Sequence, residues 1–371
     1  MQEKRWGSIA SSIKSAIRRG DLFAGARIAS EKELAAEWNV SPMTVHRALT
    51  ELQREGWVVR RRRAGTVVAD RSVQPVTKIG LIFTSPADLP QGAYATGIEE
   101  SLGDGLALVP LSTDNQPARE ALCLEHAAQE CSAIICYPTG APQNKALLKK
   151  IAATMPLLFI DCAVEGVNVD AVMTDNYGSI QLGLRHLASL GHTRIAYFME
   201  PHLVSSSKDR YAGYVDFMKH DLEVVDPDRW VRRFSSSTPT ELYFERVETV
   251  VAELLSETER VTAIACQQDA VMAAVLEACS HLGVSVPSDL AVLSFNDFPA
   301  RVQPFARTVH RLVQRPVELG HMVAQRTRLR LETPDLAIQT MRLLTDFYPA
   351  VEYKPSAAAA SYLESHPMKR G

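Results

Sequence analysis

The sequence predicts an α/β protein in two parts: a small helical head that ends in a β-hairpin, and a large body of doubly wound parallel sheets. The 371-residue chain is longer than a single hydrophobic core usually supports. Its charge is divided, with 13 basic and 8 acidic residues at positions 1–70 but 27 and 35 in the remainder. Beyond residue 78, apolar runs alternate with amphipathic stretches, as in a parallel sheet covered by helices.

Three helices are predicted within the first 55 residues. The first has apolar residues at helical spacing, namely Trp6, Ile9, Ile13, Ala16 and Ile17. Ser30 and Glu33 have the spacing of a capping box, which predicts the start of the second. Ser41 followed by Pro42 predicts the start of the third. Its apolar face consists of Val45, Ala48, Leu49 and Leu52.

A block of four arginines follows the third helix, between two β-prone runs. Residues 56–68 are Gly-Trp-Val-Val-Arg-Arg-Arg-Arg-Ala-Gly-Thr-Val-Val, which predicts a hairpin with a cationic tip. A helix that fits the major groove, followed by a charged hairpin, is typical of a winged helix-turn-helix that binds DNA. The basic head on an acidic body also favours a polyanion partner, although a basic run can simply be a solvated surface.

The stretch from Ile28 to Trp57, continued by Gly65-Thr66-Val67, resembles the winged helix-turn-helix domain of GntR-family regulators. The resemblance implies a DNA-binding domain at residues 1–69. It implies DNA contacts from Lys32, Ser41, Met43, Thr44, His46, Arg47, Arg61, Arg62, Arg63, Gly65 and Thr66. The family often has arginine where this chain has Lys32, Pro42 and His46, so we expect a different operator. The alternative for His46 is a surface residue that touches a phosphate or nothing.

Residues 70–77 are polar and predict a linker. The strands predicted in the body are Ile79–Thr84, Leu106–Pro110, Ala133–Tyr137, Leu157–Asp161, Arg194–Phe198, Ala263–Cys266 and Leu290–Phe295. The helices predicted between them include Tyr94–Leu102, Arg119–Gln129, Asn176–Leu190, Lys208–His220, Thr240–Leu255 and Asp269–Leu282. This number of units predicts two sheets, with ligands bound beyond the carboxyl ends of the strands.

Polar residues stand at several of those strand ends: Thr84, Ser85, Asp161, Gln268, Asp269, Asn296 and Asp297. Taken singly, each could equally be a helix N-cap, the commoner role of such residues after a strand.

Three stretches, Gly183–Phe198, Asp209–Tyr214 and Val286–Asp297, resemble the effector-binding core of LacI/GalR-type repressors, which has a two-lobed periplasmic-binding-protein-like fold. The resemblance implies a ligand-binding and dimerisation domain at residues 78–350. Lobe 1 would comprise about 78–191 and 301–325, and lobe 2 about 192–297 and 326–350, before a weakly ordered tail at 351–371. The implied ligand-binding residues are Ser85, Gln91, Asp161, Arg210, Gln268, Asp269 and Asn296.

A GntR-type head joined to a LacI/GalR-type body resembles the architecture of arabinose-type repressors. The resemblance implies a ligand-responsive transcriptional regulator, which we expect to be a repressor of transcription, and a homodimer that binds double-stranded operator DNA under the control of a small polar effector, for which we expect a sugar. Lobe closure on the ligand would change the spacing of the two heads.

Two alternatives remain at this stage: a pyridoxal-phosphate enzyme with a regulatory head, and a sugar-binding module without allosteric output. The enzyme needs a Schiff-base lysine, but the body's lysines lie in predicted helices (Lys145, Lys149, Lys150, Lys208 and Lys219). We therefore expect no catalytic residue and no cofactor. The six cysteines lack metal-ligand spacing, so we expect no metal site, and no apolar run is long enough to span a membrane. These features favour a cytoplasmic protein.

Overall fold

The computed structural model describes residues 3–61, 65–69, 76–85, 89–200, 204–235, 238–295 and 307–351. The chain divides into two units, Met1–Val76 and Thr77–Gly371. These are the head and the body. Arg62, Arg63, Asn296 and the segment 352–371 lie outside the described residues, as do residues 70–75 of the predicted linker. Thr77 does not belong to the linker, because it already pairs with Leu106 in the first body strand.

The head contains the three predicted helices followed by a hairpin. Its elements are α1 (Glu3–Arg19), α2 (Glu31–Glu37), α3 (Pro42–Arg54), β1 (Val58–Arg61) and β2 (Gly65–Val68). The capping box is confirmed, since the Ser30 hydroxyl accepts from the Glu33 amide while the Glu33 carboxylate accepts from the Ser30 amide. The two strands pair antiparallel, with Arg61 opposite Gly65. Gly65 has a φ of +77°, a conformation that glycine adopts without strain.

One apolar core holds the head together. Ile9 from α1 packs with Val45, Ala48 and Leu52 from α3, and none of these side chains is accessible to solvent. The main chain of residues 25–28 runs along β2, where the Ile28 amide donates to Thr66 and the Val68 amide donates to Ala26. This arrangement fixes α3 relative to the hairpin.

The body begins with a run of alternating strands and helices: β3 (Thr77–Phe83), α4 (Leu89–Leu102), β4 (Leu106–Ser112), α5 (Pro117–Glu130), β5 (Ala133–Cys136), α6 (Lys145–Ala152), β6 (Leu157–Ile160) and β7 (Asp170–Thr174). It continues with α7 (Asn176–Ser189), β8 (Ile195–Met199), α8 (Ser205–His220), β9 (Val231–Arg233), α9 (Thr240–Ser256), β10 (Ala263–Cys266), α10 (Asp269–His281) and β11 (Ala291–Phe295). The last elements are β12 (His310–Val313), α11 (Pro316–Glu332), β13 (Thr340–Leu343) and β14 (Asp346–Tyr348).

These strands form two six-stranded sheets, which define two lobes. The order in lobe 1 is β13-β7-β6-β5-β3-β4, and every pair is parallel. The order in lobe 2 is β14-β12-β11-β10-β8-β9, in which only β14 runs antiparallel. The predicted fold class, an α/β protein with doubly wound parallel sheets behind a winged head, is confirmed.

The predicted division of the C-terminal region between the lobes is wrong for β12 and β13, whereas β14 lies in lobe 2 as predicted. Residues 301–325 were assigned to lobe 1, but within them β12 pairs with β11 in lobe 2. Residues 326–350 were assigned to lobe 2, but the end of α11 and β13 belong to lobe 1, where β13 pairs with β7. The physical reason is that the chain crosses between the lobes twice more after β11, and strands of three or four residues carry too little pattern to show where.

The chain passes between the lobes three times, after β7, after β12 and after β13. The middle crossing leads into α11, which packs closely on α4. A Cβ atom placed on Gly97 would lie 2.1 Å from the Val317 carbonyl oxygen, and one on Gly320 would lie 2.5 Å from the Tyr94 carbonyl oxygen. Only glycine allows the two helix backbones to approach this closely, so α11 is fixed to lobe 1.

Rings from all three crossing segments meet at one edge of lobe 2. The His186 ring of α7 lies 4.8 Å from the His310 ring of β12 and 4.8 Å from the Phe347 ring of β14, measured between centroids. His310 is fully buried, and its Nδ1 accepts a hydrogen bond from the Ala350 amide. Burial holds the pKa of His310 at about 3. Burial also holds the pKa of His192, whose Nδ1 lies 2.9 Å from the Thr262 hydroxyl, at about 4.

These pKa values predict that acid destabilises the body. Both rings stay neutral when folded, whereas in the unfolded chain they take up protons below about pH 6.5. A depressed folded-state pKa means that the stabilisation is complete above pH 6.5 and is lost as the pH falls toward 4 for His192 and 3 for His310. We expect the free energy of unfolding to fall by on the order of 1–2 kcal/mol per histidine between pH 7 and pH 5. Urea denaturation at the two pH values measures the change.

Two variants show whether these rings cause the pH dependence. His310→Gln removes one buried imidazole and should make the dependence shallower. His281→Gln should not, because His281 is exposed and its hydrogen bond to Glu248 raises its pKa. The slopes are compared, so a loss of packing in His310→Gln does not obscure the result. An unchanged slope in that variant would contradict the prediction.

Candidate functional site

The exposed face of α3 is the first candidate site, and it carries the residues predicted to contact DNA. Met43 is 74% exposed, and Arg47 is also exposed. Ser41 and Thr44 are engaged at the helix cap, where their hydroxyl oxygens lie 2.9 Å apart and the Thr44 amide donates to Ser41 Oγ. The Arg47 guanidinium lies 5.0 Å from the centre of the Trp6 ring, which ties this side chain to α1.

His46 is held by the head itself. Its Nδ1 lies 2.9 Å from Glu31 Oε1, and Arg60 Nη2 donates to the same oxygen across 3.0 Å. When its Nδ1 is protonated, His46 donates to this carboxylate, which can only accept. Arg60 Nη2 also lies 3.2 Å from His46 Nδ1, which accepts from it in the other tautomer. The network joins the start of α2, the middle of α3 and the first hairpin strand. It was not predicted, because nothing in the local sequence brings Glu31 to His46 and Arg60.

The hairpin also carries an exposed basic side chain. Arg61 is exposed at the end of β1, opposite Gly65, and Thr66 is half-buried opposite Arg60. Lys32 is exposed in the first turn of α2. With the exposed part of α3, these positions supply basic and apolar side chains of the kinds that bind phosphates and base edges.

The second candidate site is a buried polar cluster in the body, centred on Asp161. This residue follows β6 in a left-handed conformation with a φ of +64° and is only 5% exposed. Its Oδ1 accepts from Gln314 Nε2 across 2.9 Å and from the Thr174 hydroxyl across 3.3 Å. The Tyr94 hydroxyl also hydrogen-bonds to the carboxylate. Donors from the first and second crossing segments and from α4 therefore meet on one carboxylate.

Arg210 of α8 lies on the lobe 2 side of the same cluster. It is 5% exposed, and its guanidinium carbon lies 3.7 Å from the centre of the Phe295 ring. Its Nε donates to Asn176 Oδ1 across 2.7 Å, and its Nη1 donates to the Gln267 carbonyl across 2.8 Å. These contacts occupy two of the five guanidinium N–H groups. Three remain for another acceptor, since no further partner occurs among the described residues.

The charges of Asp161 and Arg210 influence each other through a medium of low polarity. Burial raises the pKa of Asp161 above its ordinary range, and the positive charge of Arg210 opposes that rise. Burial likewise lowers the pKa of Arg210, with Asp161 opposing the fall. The site therefore offers a desolvated acceptor and a desolvated forked donor on opposite lobes, which suits a polar ligand with several hydroxyl groups.

Comparisons with known proteins identify both units. Residues 7–68 match the gntR family of bacterial regulatory proteins, and residues 184–348 match a periplasmic binding protein-like domain. The arabinose metabolism transcriptional repressor of Geobacillus stearothermophilus is 30% identical over 313 residues, covering 80% of this chain and 84% of that protein. The chain belongs to this family. A second such repressor, from Halalkalibacterium halodurans, is 26% identical and covers 80% of this chain and 81% of that protein.

Solved structures share the fold of the body. The transcription regulator CcpA of Lactococcus lactis is 17% identical with a TM-score of 0.64, covering 75% of this chain and 100% of that one. A LacI-family regulator of Enterococcus faecium with bound ribose is 19% identical with a TM-score of 0.59, covering 75% of this chain and 99% of that one. The predicted resemblance to both families is confirmed, and the protein is a ligand-responsive, DNA-binding transcriptional regulator.

The other predicted ligand residues of the regulator lie in different surroundings. Gln268 is half-buried and donates to Glu200 Oε2 across 2.9 Å. Asp269 begins α10, where its side chain accepts from the Ala270 amide. Ser85 is half-buried just beyond the end of β3. Gln91 lies in the first turn of α4 with its side chain outside the described residues, as is the whole of Asn296.

Sequence reasoning missed several residues of the cluster. Gln267 is fully buried, with its side chain donating to the Ser207 hydroxyl across 2.7 Å and accepting from the Glu200 amide across 2.9 Å. Gln314 was missed because the strand before it was not predicted. Tyr94 was treated as a helix start. No clear sequence signal pointed to Gln314, because the run before it, His310–Val313, does not alternate polar and apolar residues, although its residues alternate between buried and half-buried in the fold.

Other features of the described residues lie away from this cluster. A surface groove of about 340 Å³ separates α9 from α10, and none of the predicted ligand residues lines it. Within the described ranges, no group of three or more His, Cys, Asp or Glu side chains is placed to hold a metal ion. No helix in this part of the chain is long and apolar enough to cross a membrane.

Proposed function

We propose that the regulator is a cytoplasmic repressor that binds its operator through α3 and the hairpin and is released when a sugar enters the cluster between the lobes. The observation that carries the proposal is that buried Asp161 and buried Arg210 lie on opposite lobes, close enough for their charges to influence each other. The names of the related arabinose repressors support both the direction of control and the class of ligand. The structures of other regulators determined with ribose and with cellobiose support the class of ligand alone.

The chemistry of the cluster supports a sugar in preference to an apolar ligand. Asp161 is an acceptor for ligand hydroxyls, and Arg210 has three N–H groups left to donate. The ring of Phe295 supplies an apolar surface beside them. Since the cluster is buried, a ligand must separate the lobes or displace Gln314 from Asp161 in order to enter. Among the described residues, we therefore assign ligand binding first to Asp161 and Arg210.

Control of DNA binding then follows from linkage between two sites. A ligand that prefers one arrangement of the lobes shifts the population toward it, and the reoriented bodies carry the heads to a spacing that no longer fits the operator. A coupling of about 1–3 kcal/mol is enough to change operator occupancy. The regulator works without chemical transformation of its ligand in this scheme.

The scheme predicts that sugars stabilise the protein and weaken its operator complex. In a thermal-shift screen of sugars, sugar phosphates and polyols, we expect one class to raise the melting temperature. A ligand at 100 times its dissociation constant stabilises the fold by about 2.7 kcal/mol. The same compound should lower operator affinity measured by fluorescence anisotropy. Stabilisation without any change in operator affinity would indicate a sugar-binding module without allosteric output.

Arg210→Lys keeps the positive charge but removes the forked donor, so it tests the site directly. We expect it to weaken binding of the stabilising sugar about tenfold to a hundredfold, because a lysine cannot replace the charge-assisted hydrogen bonds of the guanidinium. The matched control is Arg229→Lys, which changes an arginine stacked 4.1 Å from the Trp230 ring on the exposed surface of the same lobe. Equal ligand affinities for Arg210→Lys and wild type would contradict the site assignment.

We infer that the regulator acts as a homodimer, because two heads read two half-sites of a near-palindromic operator. Analytical ultracentrifugation of the full chain at micromolar concentration should give the mass of two chains, and a complex with operator should contain two chains per DNA. A monomer that binds operator one to one at this concentration would exclude the proposed spacing mechanism.

For the hairpin we propose phosphate contacts that are independent of sequence. Replacing Arg61, Arg62 and Arg63 with alanine should weaken binding to the operator and to unrelated DNA by the same factor. The slope of log affinity against log salt should become shallower by about 0.9 for each phosphate that the variant no longer neutralises. Arg19→Ala is the control, since Arg19 is exposed in the same head but pairs with Asp21. A loss confined to the operator would show that the hairpin selects sequence.

A further inference from the structure

The first turn of α3 presents little polar chemistry to a partner. Pro42 has no side-chain donor or acceptor, and the hydroxyls of Ser41 and Thr44 lie 2.9 Å apart at the cap. The remaining residue of the turn, Met43, is 74% exposed. The main exposed group of the first turn of α3 is therefore the apolar side chain of Met43.

The helical positions show which way Met43 faces. The buried face of α3 consists of Val45, Ala48, Leu49 and Leu52. Residues three and four positions apart share a face of a helix, so Met43 lies on the same outer face as His46 and Arg47. His46 is held there by Glu31, and Arg47 lies against the Trp6 ring. Met43 extends from this face without such a contact to the head in the described structure.

We propose that Met43 selects a thymine in each half-site of the operator by packing on its 5-methyl group. The proposal rests on the proposed function, in which this face of α3 enters the major groove. Among the base pairs, the major groove displays a single apolar group, the methyl of thymine; the other base edges there present hydrogen-bond donors and acceptors. A flexible, unbranched thioether can adapt to a methyl group more readily than a branched side chain.

The expected effect is modest and specific to one position. Burying one methyl group contributes enough to change affinity about threefold to fivefold. The wild-type chain is first used to select bound sequences from a random duplex library. Each thymine of the selected operator is then replaced, one at a time, with deoxyuridine, which keeps the base pairing and removes only the methyl. We expect a threefold to fivefold loss at one thymine per half-site and little change elsewhere.

The variants complete a double-mutant cycle. Met43→Ala should bind the thymine and deoxyuridine operators equally well at that position, and so should Met43→Gln, which keeps the length of the side chain. Phe23→Ala is the matched control, because Phe23 is an apolar residue of the same head, 73% exposed, outside α3. It should retain the full loss on removal of the methyl. Since Met43 is exposed, neither of its substitutions should disturb folding, which a thermal melt of the full chain checks.

The outcomes separate this inference from the proposed function. If the wild-type chain enriches no sequence, operator binding itself is refuted. If a sequence is enriched but no single deoxyuridine matters, Met43 does not contact a thymine methyl. If Met43→Ala weakens the complexes with all duplexes alike and deoxyuridine has no effect, the side chain packs on the sugar-phosphate backbone and the inference is wrong.

Discussion

The chain passes between the two sheets three times, and these passages are the constraint that determines how the two lobes of the body are held together. Thr174 and Asn176 flank the first passage, and Gln314 lies on the second. These three residues belong to the polar cluster: Thr174 and Gln314 donate hydrogen bonds to Asp161, and Asn176 accepts one from Arg210. Two of the three segments that join the lobes therefore contribute side chains to this polar cluster. A movement of the second passage relative to lobe 1 would alter the hydrogen bond that Gln314 donates to Asp161.

The same constraint explains how much of the fold was predictable. All seven predicted body strands are present, with ends within about two residues, because each is apolar enough to show its own boundaries. The strand β7 was missed because it begins with Asp170, a residue type that rarely starts a buried strand. The structure neutralises that carboxylate with Arg326 and Arg330, whose Nε atoms each donate across 2.9 Å from more than 150 positions away. Such a pairing cannot be predicted from local pattern.

The candidate sites could likewise be predicted only where local sequence or family resemblance indicated a residue, and not where distant segments pack together. Family resemblance indicated Asp161 and Arg210, and the structure brings them into one cluster, but Gln267, Gln314 and Tyr94 emerge only from the packing of distant segments. In the head, the positions on α3 followed from helical spacing. What the spacing could not reveal was that Glu31 and Arg60 would hold His46, leaving Met43 as an exposed apolar residue beside it.

The contact between Gly97 and Gly320 shows that the order of elements along the chain does not determine which lobe an element belongs to. α11 is flanked in sequence by β12 and β13, which belong to different lobes, yet the close approach of its backbone to α4 makes it part of lobe 1. Each lobe is consequently assembled from two distant stretches of chain. Releasing either lobe intact takes more than one cut in the body, so neither lobe can be expressed as one uninterrupted segment of the chain.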